Sequence, residues 1–298
     1  MATPVIDIVG LSKTFGRTKA LQGFDLQVAT GDVHGFLGPN GAGKTTTLRI
    51  LLGMLHADAG QVTLLGGDPW RDAVALHTRL AYVPGDVALW PQLSGGEALD
   101  VLAQMHGNTN KARQKSLIER FDLDVRKKSH TYSKGNRQKV ALIAALACDV
   151  ELLLLDEPTS GLDPLMEVVF RDCVREAQAR GCTVLLSSHM LSEVEALCNQ
   201  VTIVRAGTRV VYGSLADLRS ITTSQIVATL SVCDLTLIAG VSDIHWQGDT
   251  VRCHVTATGL APLMSFIATH GVQQLTVQPP SLEEIFLQHY QHIPEVSQ

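Results

Sequence analysis

The fold of this chain is decided by the segment Gly38-Pro39-Asn40-Gly41-Ala42-Gly43-Lys44-Thr45-Thr46, which fits the phosphate-binding pattern GxxxxGK[ST]. Glycines in such a loop let successive backbone N–H groups converge on one anion. A helix that follows at once directs its positive end at the same anion. Lys44 can reach the β and γ phosphates, and the Thr45 hydroxyl can ligate magnesium. Because residues 33–37 read as a buried strand, the sequence predicts strand, phosphate loop and helix.

Composition limits the kind of protein. With 298 residues the chain can form one large or two ordinary domains. Its net charge of -5 and pI near 6.1 argue against a general nucleic-acid binder. No apolar run approaches the roughly 18 residues that span a bilayer, and the first residues show no secretory signal. Six cysteines without a CxxC pair favour reduced thiols in the cytosol.

Two acidic residues close an apolar run. Residues 152–155 are four leucines, followed by Asp156 and Glu157. A strand of this kind is buried on both faces of a parallel sheet, and its carboxyl end is where such sheets bind ligands. Asp156 suits a magnesium ion held partly through water, and Glu157 suits a base that polarises the attacking water. His189 follows a second buried strand, so we expect it to contact the γ phosphate.

The remaining segments of the first 220 residues give weaker signals. Residues 5–37 hold three short β-type segments broken by glycines, which together resemble an antiparallel sheet beside the nucleotide site. Phe15 lies on a turn there, where it either stacks on a purine base or belongs to the core. Residues 94–128 are polar and helix-forming, as expected for a helical insertion. Ser133 and Gly135 begin a further helix and offer a second anion-binding end.

Together these motifs resemble the ATP-binding subunit of an ABC transporter, over residues 4 to about 220. The resemblance implies an α/β P-loop NTPase with an antiparallel β subdomain and a helical subdomain at about 94–148. It makes residues 38–46 the Walker A loop, residues 152–157 the Walker B strand with its catalytic glutamate, and residues 160–163 the D-loop. It also implies that Phe15 stacks on adenine, that Asp163 contributes to the nucleotide site, and that His189 is the switch histidine. Lys44, Glu157 and His189 would then be the catalytic residues, with ATP and Mg²⁺ bound.

The signature sequence of the family has two candidates. Residues 93–97, Leu-Ser-Gly-Gly-Glu, nearly match LSGGQ but lie where the helical insertion begins. Residues 133–136, Ser-Lys-Gly-Asn, lie about twenty residues before Asp156 and begin a helix, as phosphate binding requires. We therefore assign the signature to Ser133 and Gly135, although Lys134 replaces a glycine. The Lys134 side chain could add a contact to the γ phosphate.

A second departure concerns the family's magnesium-contacting glutamine. That glutamine usually follows the strand at residues 80–83 and relays the nucleotide state to the membrane partner. Here Pro84 is followed by Gly85 and Asp86. Glycine offers no side-chain oxygen, so our hypothesis is that Asp86 or a water molecule takes this place.

The last segment, residues 221–298, forms a second predicted domain of α+β type. We predict strands near 226–232, 244–246, 251–255 and 273–277, with helices near 235–239 and 260–270. This βαββαβ order suggests a ferredoxin-like unit. Residues 280–287 resemble the C-terminal motif of drug-resistance exporter ATPases of the daunorubicin type, with Ser281 as a helix cap.

These features predict the ATPase of an exporter. The resemblance implies two such subunits meeting head to tail, with each ATP held between one Walker A loop and the other subunit's signature. We expect a homodimer, although no residue decides between that and a pair of related subunits. A separate transmembrane permease would carry a drug or other small hydrophobic molecule. The chain would be cytoplasmic and peripheral on the inner face of the membrane. The rival is a soluble ABC ATPase acting on ribosomes or nucleic acid, but such proteins usually carry two cassettes or an inserted arm. A kinase or small GTPase leaves residues 133–136 and His189 unexplained.

Overall fold

The computed structural model describes residues 4–220, 223–231 and 233–278. The chain divides into two compact units between Tyr212 and Gly213, shortly before the domain limit predicted at residue 220. Within the described part, no helix combines the length and apolar character needed to cross a membrane.

An antiparallel sheet opens the first unit. Along the chain come β1 (Pro4–Phe15), β2 (Thr18–Ala29), β3 (Val33–Leu37), α1 (Lys44–Leu51) and β4 (Ala59–Leu64). The strand β1 pairs with both β2 and β4. The sequence predicts that glycines break these strands, but they do not. Instead β1 and β2 run through Gly10 and Gly23, because register shifts in their pairing absorb the extra residues.

The prediction that β3 belongs to this antiparallel sheet is wrong. All five β3 residues are buried, and a strand buried on both faces is stable inside a parallel sheet covered by helices. It therefore joins the central sheet. Because β3 lies in the middle of that sheet, the phosphate loop that follows β3 begins there.

Helices dominate the next part of the chain. They and one strand are α2 (Ala73–His77), β5 (Leu80–Val83), α3 (Gly95–His106), α4 (Lys111–Arg120) and α5 (Lys134–Leu146). Residues 94–128 contain α3 and α4 and, in the described chain, no β-strand. The predicted helical insertion is therefore present.

The chain continues with β6 (Leu152–Asp156), α6 (Pro164–Ala179), β7 (Thr183–Ser188), α7 (Leu191–Leu197), β8 (Gln200–Arg205) and β9 (Thr208–Ser214). Their strands complete the central sheet. The described strands follow the order β5-β6-β7-β3-β8-β9. Parallel register sets Leu37 beside Ser188 and Asp156 beside Ser187. The carboxyl ends of β3, β6 and β7 therefore lie at one edge.

The second unit contains α8 (Leu215–Ser220), β10 (Ser224–Thr229), β11 (Val241–Gln247), β12 (Thr250–Val255), α9 (Ala257–Thr269) and β13 (Gln274–Gln278). Its described strands follow the order β11-β12-β10-β13, and all neighbours are antiparallel. Apolar residues of α9 such as Leu263 and Ile267 are buried against this sheet's core.

The predicted helix at residues 235–239 is wrong, because these residues form turns. Asp234 explains this, since its Oδ1 accepts hydrogen bonds from the backbone N–H and the hydroxyl of Thr236. Such local bonds compete with a helix, and five residues are too few to resist them. The predicted motif at residues 280–287, with Ser281, lies outside the described residues.

Candidate functional site

The phosphate loop joins β3 to α1 as the sequence predicts. Gly43 precedes the helix with φ of 110°, a conformation open to glycine and costly for other residues. Lys44 is only 5% exposed, and its Nζ donates to the Gly38 carbonyl at 2.6 Å and the Pro39 carbonyl at 3.3 Å. Burial lowers the pKa of Lys44, while nearby Glu157 and Asp156 oppose the shift. The Lys44 ammonium thus lies against the loop that is expected to bind the phosphates.

Asp156 lies at the end of β6, directly beside this loop. Its Oδ2 accepts a hydrogen bond from Thr45 Oγ1 at 3.1 Å, and its Oδ1 accepts one from Ser187 Oγ at 2.7 Å. The side chain is nearly buried, with 4% exposed. Carboxylate and hydroxyl oxygens are ligands that Mg²⁺ prefers. Thr45 and Asp156 therefore fit the magnesium site predicted for them.

Glu157 has a strained backbone. Its φ of 47° is left-handed, which is uncommon for a residue with a Cβ and is typical of functional positions. Its N–H donates to the Ser187 carbonyl at 2.9 Å, which holds this conformation. The side-chain Oε1 lies 3.2 Å from His189 Nδ1 and 3.9 Å from Lys44 Nζ. The structure thus brings together the three predicted catalytic side chains, which are far apart in the sequence.

The helix α5 begins at Ser133, whose Oγ accepts from the backbone N–H of Asn136 at 3.2 Å. Lys134 Nζ donates to Ser160 Oγ at 2.6 Å, so this lysine is bonded to the loop after β6. Gly135 lies so close to the Gly161 carbonyl that a Cβ would collide with it. This helix start is therefore packed on residues 160–161 of the same chain.

Asp163 begins α6, where its Oδ1 accepts from the Met166 N–H at 3.0 Å. Among the described residues, no hydrogen bond or ion pair joins Asp163, Ser133 or Gly135 to residues 38–46. The structure therefore does not bring these predicted nucleotide ligands to the phosphate loop of their own chain.

Known proteins resemble this chain throughout its length. A family model described as ABC transporter matches residues 21–160. The daunorubicin resistance ATP-binding protein DrrA3 of Streptomyces coeruleorubidus is 34% identical, with 96% of both chains covered. This chain belongs to the ABC transporter ATP-binding proteins. It is an ATPase, the subunit that binds nucleotide for a transporter whose membrane permease is a separate protein.

Two further comparisons support this family. The Nod factor export ATP-binding protein I of Ralstonia nicotianae is 31% identical, over 96% of this chain and 94% of that protein. A solved structure, the ATP binding subunit of an ABC transporter, is 28% identical with a TM-score of 0.68, covering 72% of this chain and 92% of its own. The predicted P-loop ATPase fold is confirmed.

The two signature candidates of the ABC ATPase differ in their helix starts. At α3, Ser94 Oγ accepts from the Glu97 N–H at 3.2 Å, and the Glu97 carboxylate accepts from the Ser94 N–H at 2.6 Å. These bonds and Lys128 lower the pKa of Glu97 to about 2, so this helix end already holds its own anion. The first turn of α5, by contrast, carries the cation Lys134. The geometry favours Ser133 and Gly135 as the signature.

We expect Ser133→Ala and Ser94→Ala to differ in ATPase activity but to lose similar amounts of stability. Each removes a helix cap, which costs about 1 kcal/mol of the free energy of unfolding. Only Ser133→Ala should also lower the kcat/KM for ATP, by at least about tenfold, because it removes a hydrogen bond to a charged phosphate. Thermal unfolding and steady-state ATPase assays of both variants test this. Equal activities, or a larger loss in Ser94→Ala, would reverse the assignment.

Phe15 lies at the end of β1 with 49% of its surface exposed, so the core alternative is wrong. Lys13 Nζ lies 5.6 Å from the ring centroid. An exposed ring of this kind is free to receive an adenine base.

We expect Phe15→Ala to weaken ATP binding by roughly tenfold, since loss of aromatic stacking on a base costs about 1–3 kcal/mol. Phe15→Trp, which keeps a ring, should bind ATP like the wild type. Titration with a fluorescent ATP analogue measures both. An unchanged affinity in Phe15→Ala would contradict the stacking role.

Gly85 occupies the place of the family's glutamine, beside Walker B. A Cβ at Gly85 would lie 3.2 Å from the Asp156 carbonyl oxygen, closer than side chains usually approach. Asp86 is exposed. The absence of a side chain at residue 85 therefore lets the backbone pass close to the Walker B aspartate.

Several residues of this site were not predicted. Ser187 and Ser188 end β7 and donate hydrogen bonds to Asp156 at the end of β6 and to Glu193 in α7, respectively. Gln138 of α5 is buried, and its Nε2 donates to the Pro158 carbonyl at 3.0 Å, which links α5 to the segment after Glu157. Two polar residues closing an otherwise apolar strand were the available signal for Ser187 and Ser188. Gln138 gave none, because its partner lies on another element.

Proposed function

We propose that this ABC ATPase powers the export of a drug or other small hydrophobic molecule through its permease. The observation that carries the proposal is the similarity to the daunorubicin resistance protein, which covers 96% of this chain and so includes the C-terminal unit. The Nod factor export relative covers the same share. In this proposal the protein lies in the cytoplasm, held to the inner face of the membrane by the permease.

In the proposed reaction, Glu157 is the general base. Its carboxylate takes a proton from a water molecule as the water oxygen attacks the γ phosphorus, and the bond from this phosphorus to the ADP oxygen breaks. His189, 3.2 Å from Glu157 Oε1, orients that carboxylate and contacts the γ phosphate. Lys44 leaves the loop carbonyls and places its ammonium against the β and γ phosphates, where it offsets their charge.

Thr45 and Asp156 are the proposed holders of Mg²⁺, which when bound neutralises charge on the β and γ phosphates. The Thr45 hydroxyl and Asp156 Oδ2 are already neighbours at 3.1 Å. Ser187 bonds the other Asp156 oxygen and so fixes the orientation of the carboxylate. The chain's own residues thus need little rearrangement to present two oxygens to the ion.

Two copies of the chain complete the proposed site. Ser133 and Gly135 of one subunit, with its Asp163, would close on the ATP held by the Walker A loop of the other. Within one chain Ser133 and Asp163 have other partners, since Ser133 caps α5 and Asp163 caps α6. In a head-to-tail homodimer, the start of α5 in one subunit can bind a phosphate of the ATP held by the other subunit. It does not contact the phosphate loop of its own chain.

The permease has a suitable docking place in an apolar groove of about 540 Å³. Strongly exposed Val74 and Met105 lie on its lining, at 87% and 74% exposure. Pro84 and Val87, which flank Gly85 and Asp86, line it as well. We propose that an apolar helix of the permease occupies this groove, because the groove adjoins the segment that follows β5 beside the magnesium site.

We expect Asp86→Ala to raise the Mg²⁺ concentration for half-maximal ATPase activity by about fivefold, if its carboxylate replaces the missing glutamine; one such contact is worth about 1 kcal/mol. Glu119→Ala, which removes an exposed carboxylate from α4, is the matched control. Magnesium titrations of both variants measure the effect. Unchanged activity and Mg²⁺ dependence in Asp86→Ala would contradict this role.

Export itself is tested in the cells that make this protein. Replacing the chromosomal gene with Glu157→Gln should raise the accumulation of fluorescent hydrophobic compounds, daunorubicin among them, because the permease loses its motor. A Glu119→Gln replacement is the control. Equal accumulation of every compound in the three strains would contradict the export proposal while leaving the ATPase activity untouched.

A further inference from the structure

A buried glutamate in α7 lies beside the proposed catalytic site and has no part in the reaction described above. Glu193 is 8% exposed although it belongs to the first turn of a helix next to His189. Burial of a carboxylate is costly unless other groups bond to it. Its neighbours are Ser188 at the end of β7 and Thr159 in the loop that follows β6.

On the β7 side, Glu193 holds the turn that carries His189. Ser188 Oγ donates to Glu193 Oε2 at 2.6 Å, and the same Oγ accepts from the Met190 N–H at 2.9 Å. Ser188 and Met190 are the two neighbours of His189 in the chain. The bonds of one hydroxyl therefore fix the backbone on both sides of the histidine, and Glu193 fixes that hydroxyl.

On the β6 side, Glu193 meets the loop that carries Glu157. Thr159 and Glu193 line the same cavity. Burial raises the pKa of Glu193, and the nearby Ser188 and Thr159 hydroxyls oppose this shift. Thr159 is two residues beyond Glu157. The carboxyl of Glu193 thus lies between the two loops whose side chains meet at Glu157 Oε1.

The second oxygen, Glu193 Oε1, is buried without a hydrogen-bond partner among the described residues. Glu193 also lines a cavity of about 90 Å³, together with Thr159, Glu167, Arg171, Met190 and Ser192. Polar lining and this volume suit ordered water. Among the described residues, the hydrogen bond from Ser188 to Oε2 is therefore the defined contact of this carboxyl group.

We infer that Glu193 is a positioning residue for ATP hydrolysis, which holds the turn that places His189 beside Glu157. Its bond to Ser188 keeps His189 Nδ1 within 3.2 Å of Glu157 Oε1. The inference rests on the proposed roles of Glu157 and His189. It requires an acceptor oxygen at this place and no negative charge, so glutamine can replace the glutamate.

Purified variants of the full chain test this inference. We expect Glu193→Ala to lower the kcat for ATP hydrolysis by about ten- to a hundredfold, since a displacement of about 1 Å at a reacting group has effects of this size. The KM for ATP and the affinity for a fluorescent ATP analogue should change by less than about twofold, because the phosphate loop is untouched. Glu193→Gln should retain at least about half of the wild-type kcat, because its amide oxygen still accepts from Ser188.

Ser188→Ala provides a second, independent arm that also serves if Glu193→Ala does not fold. It should lower kcat at least as much as Glu193→Ala, because it also removes the bond from the Met190 N–H. The double variant should be no worse than Ser188→Ala, since both changes remove the bond between Ser188 and Glu193. Glu119→Ala on exposed α4 is the control for loss of a helix carboxylate. Thermal unfolding of each variant separates lost folding from lost positioning.

Three results would overturn the inference: a wild-type kcat in Glu193→Ala or Ser188→Ala, additive losses in the double variant, or an equal loss in Glu193→Gln and Glu193→Ala. Failure of the proposed function looks different. In that case Glu157→Gln itself would hydrolyse ATP at the wild-type rate, whatever the behaviour of Glu193.

Discussion

Glu157→Gln should bind ATP and fail to hydrolyse it. A glutamine has nearly the same shape and its oxygen can still face His189, but it cannot take a proton from the attacking water. General base catalysis contributes about a hundred- to ten-thousandfold, so kcat should fall by that factor. The affinity for ATP should stay within about twofold, because a side chain that acts mainly in the transition state contributes little to ground-state binding. Single-turnover hydrolysis and nucleotide titration measure the two quantities separately.

The same variant should also accumulate as an ATP-bound dimer, since opening depends on hydrolysis. Size-exclusion chromatography with ATP, and then with ADP, reports this state. Glu119→Gln, an exposed glutamate of α4, should behave like the wild type in every assay. Turnover at the normal rate in Glu157→Gln would remove Glu157 from the role of base.

Lys44→Met should lose both ATP binding and hydrolysis. The side chain keeps most of its length but loses the charge that is expected to bridge the β and γ phosphates. One hydrogen bond to a charged group is worth about 1.5–3 kcal/mol, and Lys44 is expected to make at least one such bond to each phosphate. We therefore expect the affinity for ATP to fall by about a hundredfold or more. Isothermal titration with ATP and with ADP measures the loss.

Lys115→Met removes an exposed lysine of α4 and is the control for loss of a positive charge. It should leave both affinities unchanged. Because Lys44 is also bonded to the Gly38 carbonyl, thermal unfolding without nucleotide checks the integrity of the loop. Wild-type ATP affinity in a folded Lys44→Met protein would contradict the function assigned to Lys44.

The sequence predicted those parts of the site that depend on local chemistry. Gly43 and Lys44 occupy fixed places in a loop whose geometry few residues can adopt, so the phosphate loop can be predicted from the sequence alone. Asp156 and Glu157 were evident because paired acids after four leucines are unfavourable without a cation or a partner. In each case neighbouring residues along the chain carry the whole signal.

The missed features depend on contacts between distant elements. Gln138 and Glu193 are ordinary polar residues within helices, and their partners Pro158 and Ser188 belong to other elements. The sheet that contains β3 is determined by long-range pairing with β7, which no local pattern encodes. At residues 235–239 we predict a helix, but hydrogen bonds to the Asp234 side chain compete with it.

The central claim, that this ATPase drives a membrane permease, is tested most directly by identifying its partner. Tagged Glu157→Gln protein is purified from its own cells with ATP in mild detergent, beside the double variant Glu157→Gln/Met105→Glu, which places a charge in the apolar groove. A polytopic membrane protein should co-purify with the Glu157→Gln protein and should be depleted from the preparation of the double variant. Ribosomal proteins or nucleic acid with both, and no membrane protein with either, would contradict it.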